Sequence, residues 1–388
     1  MDVSRKAKFT MSAGPIEATD RTLRALGQQI LYHYDPQFHD IFRDTTAKLQ
    51  QVFQTKQDVV ILQGEALLGL EAAAACCFRP GDKVLNLVSG VFGHEYKWYI
   101  ELYGAEAIEI RVPYNSAVDP ADVEKTLKEN PDIKFLAVVH SETPSGTLNP
   151  VKDICTLARE HGVITIVDAV SSMGTLDVRP DEWGFDICVV GPQKGFASTP
   201  GLAIISVSED AWEVMRNVKN PDPVRYSYLS ILDWKEQWLE GGSFPYTVFT
   251  NEVVGLNSAL TQILEEGLEN VFARHARCAR ACREGVKAMG LELWPEREEI
   301  CAPCVTAVKN PEGLDDSKLR QHMYEEYGVI ISGGFKDLNG QLFRIGHMGK
   351  MAQPMYVIVA LAALEKSLHD LGHPVELGSG VGAALADL

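Results

Sequence analysis

Ile187-Cys188-Val189-Val190-Gly191-Pro192-Gln193-Lys194, continuing through Gly195-Phe196-Ala197-Ser198-Thr199-Pro200 to Gly201, is the stretch that decides the fold. The apolar run Ile187 to Val190 has the make-up of a fully buried strand, and Gly191-Pro192 closes it with a turn. The turn delivers Lys194 to the strand's exit. A lysine held there loses hydration, its amine pKa falls, and it becomes a nucleophile able to form a Schiff base with an aldehyde. Taken alone, Lys194 reads as an ordinary solvated loop residue. The stretch upstream changes that. Val163-Ile164-Thr165-Ile166-Val167-Asp168 is a second buried-strand pattern, and it ends in a carboxylate. In an open parallel sheet ligands sit beyond the carboxyl ends of the strands, so Asp168 and Lys194 are expected to face one crevice. Alone, Asp168 is a helix N-cap. With Lys194 it suits pyridoxal chemistry, in which the acid keeps the pyridine nitrogen protonated and the amine holds the aldehyde.

Working outward, Val59-Val60-Ile61-Leu62-Gln63-Gly64-Glu65-Ala66-Leu67 reads as strand, glycine turn and the start of an alanine-rich helix. Such a helix start offers free N–H groups and the positive dipole end, an anion site by default. Glu65 stands in its mouth. A buried carboxylate there would repel a phosphate dianion by on the order of several kcal/mol, even at an effective dielectric near 20. It would accept a hydrogen bond from a neutral hydroxyl instead, and it reads equally as a helix-start acid satisfying the dipole. Val84 to Gly93 repeats the strand-to-turn pattern and puts Phe92 at the turn, either stacked on a planar ring or filling core. Nearer the start, Phe9 to Pro15 is a short strand and a tight turn whose Gly14-Pro15 pair can present amides to a small anion. Helical periodicity covers Thr19 to Ile30 and Phe38 to Phe53, with aromatic Leu31 to Pro36 between them. Ala107 to Val112 and Phe135 to His140 read as further strands around a helix from Pro120 to Glu129, and a hydroxyl-rich loop, including Thr143, follows His140.

Strands and helices thus alternate to about residue 205, the mark of an α/β protein with a mostly parallel sheet and crossover helices. Beyond it the alternation weakens. Asn220 to Pro223 and Gly241-Gly242 bracket an aromatic segment, Tyr226 to Trp238, expected to cover the site or an interface. A long helical pattern from Asn251 to Met289 leads into strand patterns at Leu291 to Trp294, Cys304 to Val308, Val329 to Ser332 and Leu342 to Ile345. Helices are expected over Asp316 to Tyr327 and Pro354 to Leu371, and the tail from Leu377 to Ala383 is Gly-rich. The expected organisation is an N-terminal arm (1–20), a large α/β domain (21–255) and a smaller C-terminal α+β domain (256–388), with the ligand crevice between the two domains.

The 388 residues are 46% apolar and 23% charged, an ordinary globular composition. Lys and Arg number 36 against 53 Asp and Glu, a formal charge of -17 that repels phosphate backbones and anionic lipid, so neither nucleic acid nor membrane is an expected partner. No apolar run approaches the roughly 20 residues of a membrane helix, and Met1-Asp2-Val3-Ser4-Arg5-Lys6 lacks the apolar core of a signal peptide; a cytoplasmic location is expected. The eight cysteines read as free core thiols. Cys278, Cys282, Cys301 and Cys304 alone have a spacing that zinc could use, and the basic helical run around the first pair and Pro303 within the second argue against it.

The order of Gly64-Glu65, Ser89-Gly90-Val91-Phe92-Gly93, Asp168-Ala169-Val170-Ser171-Ser172 and Gly191-Pro192-Gln193-Lys194 resembles the fold-type I, class V aminotransferases of the alanine-glyoxylate group. The likeness runs over nearly the whole chain, including Arg274-His275 and Gly346-His347-Met348-Gly349, and within the group is greatest to the pyridoxamine-pyruvate branch. The resemblance implies that Lys194 forms the Schiff base and shuttles a proton, with Asp168 on the pyridine nitrogen. It implies Phe92 and Val170 on the two ring faces, Thr143 near the ring's 3-hydroxyl, and Arg344, with Gly14 beside it, on the carboxylate of an amino or oxo acid. Phosphate-using relatives would hold the phosphate with Ala66, Leu67, Gln193 and a Thr247 from a neighbouring subunit, implying a homodimer or homotetramer with a shared site. Phe92 stands where the family has tyrosine, and Phe335 where it has an arginine, unless Lys336 supplies that charge. Glu65 favours unphosphorylated pyridoxamine or pyridoxal as substrate, with pyruvate or another small oxo acid as acceptor. The alternatives are an alanine-glyoxylate or serine-pyruvate type enzyme using pyridoxal phosphate, a lyase of the same fold with a mobile-loop cysteine, and a binding module without activity.

Overall fold

The computed structural model describes residues 8–217 and 224–388, so Asn220 to Pro223 and the polar start lie outside the described residues. In chain order the strands are β1 (Phe9–Met11), β2 (Asp58–Gln63), β3 (Lys83–Val88), β4 (Glu106–Arg111), β5 (Ile133–Val139), β6 (Ser141–Glu142), β7 (Thr147–Leu148), β8 (Ile164–Asp168), β9 (Ile187–Val190), β10 (Leu202–Val207), β11 (Val305–Lys309), β12 (Val329–Gly333) and β13 (Leu342–Gly346). Seven of them form one sheet in the order β2-β10-β9-β8-β5-β3-β4. Strand β10 is antiparallel to both β2 and β9, and every other pairing is parallel. Two antiparallel steps cancel, so β2 runs with β9, and the carboxyl ends of β2, β3, β5, β8 and β9 share one edge. This is the expected α/β, fold-type I architecture.

Strand β9 is buried at every residue, as are the last four residues of β8, which is why both read as unbroken apolar runs. One hydrophobic core surrounds this sheet; a second surrounds the other sheet, of order β1-β12-β13-β11. Strand β1 enters it by pairing parallel with β12, Phe9 opposite Val329, so the chain's beginning is stitched to its last third. A third, small cluster of Val91, Leu338 and Leu342 joins the helix after β3 to the four-stranded sheet.

Some expectations are corrected. The periodic run from Asn251 is two helices, Thr250–Glu266 and Leu268–Ala288, broken at Gly267, whose φ of +84° a side chain would resist. The first helix spans only Asp20–Leu26, ending at Gly27. Residues Leu291 to Trp294 contribute a single bridge, Leu293 to Val308, rather than a strand. The Gly-rich tail is a helix, Ser379–Asp387, because its small residues allow backbone contact: a Cβ on Gly380 would lie 2.8 Å from the Gly285 carbonyl. The aromatic segment winds into a π-helix over Trp234–Glu240, with Trp234 and Trp238 buried against Phe42. Among the described residues no helix is long and apolar enough to cross a membrane.

Candidate active site

At the shared carboxyl edge lies a cavity of about 380 Å³. Lys194 reaches it from the turn after β9, which is shaped by bonds from Ala197 N to Lys194 O (3.0 Å) and from Ser198 N to Pro192 O (2.9 Å). The amine donates to the Ala13 carbonyl at 2.6 Å. Burial pulls its pKa down to about 8, and the nearby Arg344 guanidinium acts in the same direction. Gly14, also on the wall, has φ +107°, and a Cβ there would come within 2.5 Å of the Lys194 amine. The tight turn faces the amine with the Ala13 carbonyl, and two of its amides are taken: the Ala13 amide donates to Ser332 Oγ at 2.9 Å and the Ile16 amide to the Gln193 carbonyl at 3.1 Å.

Asp168 ends β8 in register with Val139 on one side and Val189 on the other. Its Oδ1 accepts from Val170 N at 2.9 Å, and burial pushes its carboxyl up to about 6. Val170 and Phe92 also line the cavity. Phe92 lies in the first turn of the helix Val91–Leu102, whose N-cap, Gly90, has no side chain to satisfy the free amides. Glu142 does so from β6: Phe92 N donates to its Oε2 at 3.2 Å and Gly93 N to its Oε1 at 2.8 Å. Glu142 is fully buried, and burial pushes its carboxyl up to about 7. Sequence reasoning passed over this residue; the legible signal was a helix start with glycine where a capping side chain belongs.

Glu65 is the N-cap of the helix Ala66–Cys77, with Oε2 accepting from Leu67 N at 2.8 Å. Its Oε1 accepts from Gln193 Nε2 at 2.5 Å. Glu65, Ala66, Leu67 and Gln193 are all on the wall. Glu65 is exposed in this chain, which corrects the expectation of a buried carboxylate: water screens its repulsion of a phosphate. What stands against a phosphate is occupancy, since Leu67 N, one of the two amides at this helix start that it would use, already has a carboxylate.

Thr143, on the wall, exchanges a hydrogen bond with Ser171 (Oγ1 to Oγ, 2.7 Å). Behind it, Arg344 on β13 donates to Thr143 O at 3.1 Å and, through Nε and Nη2, to Gly333 O at 2.9 and 2.7 Å. Arg344 is nearly buried and has no ion pair among the described residues; burial lowers its pKa to about 10. It borders the cavity through Thr143 and is not itself on the wall. Thr247 is exposed and off the wall, on a loop tied to the end of β2 by Phe249 N donating to Gln63 Oε1 at 2.6 Å. Lys336 does not reach in: it pairs with Glu95 and lies over the Trp98 ring.

The cysteines are free, all buried but Cys301, and no metal-binding group of His, Cys, Asp or Glu occurs among the described residues. Cys304 is near the site, within 3.4 Å of Ser141 Oγ, but it is buried before β11, and burial raises its thiol pKa; it is not the mobile, exposed thiol that sulfur chemistry needs. A buried acid, a desolvated amine and two flanking apolar faces around one cavity fit a pyridoxal-type ring.

A family model for aminotransferase class-V matches residues 16–344. The pyridoxamine–pyruvate transaminase of Mesorhizobium japonicum is 45% identical over 97% of this chain and 96% of its own length. The L-aspartate–glyoxylate aminotransferase of Paracoccus denitrificans is 33% identical over 96% of this chain and 93% of its own. The crystal structure of pyridoxamine-pyruvate aminotransferase from Mesorhizobium loti superposes with a TM-score of 0.96 at 44% identity, covering 100% of this chain and 98% of that one. The chain belongs to the class V aminotransferases.

Proposed function

We propose that this aminotransferase moves the amino group of pyridoxamine to pyruvate, giving pyridoxal and alanine. The observation that carries this is the Glu65 carboxylate already bonded to Leu67 N (2.8 Å) and Gln193 Nε2 (2.5 Å) at the cavity mouth. A phosphate ester finds Leu67 N already donating to a carboxylate; a 5-hydroxymethyl group finds in that carboxylate an acceptor for its O–H. The names of the relatives in Mesorhizobium support the same pair of substrates.

The ring, when bound, supplies an electron sink for a proton lost beside the transferred nitrogen. Asp168 accepts from the pyridinium N–H and keeps it protonated. Lys194, part neutral near neutrality because its pKa is lowered to about 8, takes that proton and returns it on the acceptor's carbon. Phe92 and Val170 hold the ring flat, and Thr143, paired with Ser171, turns a hydroxyl toward the ring's 3-oxygen. Arg344 takes the carboxylate of the oxo acid. Thr247 acts in a second copy's site: it lies beside exposed Phe249 and on the same edge as exposed Leu67, apolar surface suited to a homo-oligomeric contact.

The test is to dialyse the protein, add pyridoxamine and pyruvate, and follow pyridoxal by absorbance and alanine by chromatography. Turnover without added pyridoxal phosphate supports the reading. Retention of stoichiometric pyridoxal phosphate with no reaction of free pyridoxamine overturns it in favour of an alanine-glyoxylate type enzyme.

A further inference from the structure

The helix Val91–Leu102 carries Phe92 to the cavity wall, and its start is held by side chains from other strands. Gly90 is its N-cap, so Phe92 and Gly93 stand at the two positions whose amides a capping side chain would satisfy. Glu142 takes both from β6, one carboxylate oxygen for each, and is fully buried. A carboxylate suits the place, where the helix dipole is positive. The bare glycine admits it: the three atoms nearest a Cβ built on Gly90 are Cγ, Cδ and Oε2 of Glu142, and Oε2 would lie 2.6 Å away. On the other side, buried Asn86 of β3 donates through Nδ2 to the Gly93 carbonyl at 2.9 Å, and a Cβ on Gly93 would lie 2.7 Å from the Leu87 carbonyl. Glu142 is itself tied down through its carbonyl, which accepts from Gly146 N at 2.8 Å, and its neighbour Thr143 is also on the cavity wall. Phe92 thus takes its place from a carboxylate 50 residues along the chain rather than from its own helix.

We infer that Glu142 is a positioning residue for the transfer: it sets Phe92 against the pyridine ring, and Gly90 is left bare to let the carboxylate in. The inference rests on Phe92 being a ring wall of the proposed reaction.

Calorimetric binding of pyridoxine, which has the ring without the aldehyde, to the dialysed protein reads the wall without Schiff-base formation or turnover. Glu142→Ala is expected to weaken it about three- to tenfold, the scale of an aromatic contact, and to raise KM for pyridoxamine more than it lowers kcat. Glu142→Gln, whose amide turns a donor toward one of the two N–H groups, is expected to show a smaller loss of the same kind and stands in where Glu142→Ala does not fold. Gly90→Ser alone is expected to weaken binding too, because its side chain collides with Glu142. Combined with Glu142→Ala it should restore binding, since the serine takes the vacated space and accepts from one of the two amides as an N-cap. In a Phe92→Leu background Glu142→Ala should change the affinity no further, whereas a loss that reflects only a less stable fold would persist there. Unchanged pyridoxine affinity in the folded Glu142 variants, a double variant no better than Glu142→Ala, or an undiminished loss in the Phe92→Leu background overturns the inference. Wild-type affinity in Phe92→Leu itself instead removes Phe92 as a ring wall, and with it the reading on which the inference rests.

Discussion

Gly14 and Lys194 share one narrow passage: the Lys194 amine donates to the carbonyl just before Gly14 at 2.6 Å, and any Cβ on Gly14 would come within 2.5 Å of that amine. The contact joins the two sheets, since Gly14 follows β1 of the small sheet and Lys194 follows β9 of the large one. The N-terminal segment is therefore part of the site. Gly14→Ala adds a clash to a left-handed φ of +107°, and we expect it to cost about 1–3 kcal/mol of stability and to displace the lysine. Denaturant titration reads the first effect and the absorbance of the pyridoxal complex the second. An unchanged complex would mean that Lys194 takes another path.

Lys194→Ala should abolish transfer, and borohydride reduction with pyridoxal should label the wild type on the Lys194 peptide. The amine is nucleophilic only when neutral, and its pKa is lowered to about 8, so trapping should rise with pH through that value. Label on a different lysine, or trapping that falls over that range, contradicts the assignment.

Asp168→Asn keeps the shape of a side chain whose carboxyl burial pushes up to about 6, and loses the charge that holds the pyridinium proton. Turnover should fall roughly a hundredfold or more while pyridoxal binding persists. Near-normal turnover would place the acid elsewhere.

Glu65→Ser frees Leu67 N and removes the carboxylate beside it. The ratio of affinities for pyridoxal phosphate over pyridoxal should rise by about tenfold or more, the scale of the charge-assisted hydrogen bond that the freed amide can donate to a phosphate oxygen. A ratio that does not move removes the basis for the unphosphorylated substrate.

Glu142→Gln isolates a group whose carboxyl is raised from 4.5 to about 7 by burial. Between those values the folded wild type binds more protons than the unfolded chain, so its stability falls as pH rises. The amide has no such term. The variant's melting temperature relative to the wild type should therefore climb from pH 4.5 to 7 and then level off; a flat difference means that Glu142 is not protonated in that window.

The sequence by itself determined the large sheet and the chemistry at its edge. Strands β8 and β9 are buried on both faces, so their apolar runs leave little else for them to be, and a glycine turn or carboxylate at a strand's end can only lie at that edge. That made Lys194, Asp168, Phe92 and the Glu65 turn legible. Tertiary structure decided what depends on partners far along the chain. Whether Glu65 is buried, whether Lys336 faces the cavity, and which acceptor caps the helix after Gly90 are set by Gln193, Glu95 and Glu142, residues with no local tie to them. Hydrophobic periodicity reports how much of a segment is buried, not against what. For the same reason the Gly-rich tail gave no hint of its helix, whose packing rests on Gly380 meeting Gly285 backbone to backbone, and β1 gave no hint that it would pair with β12 and bring Gly14 against Lys194.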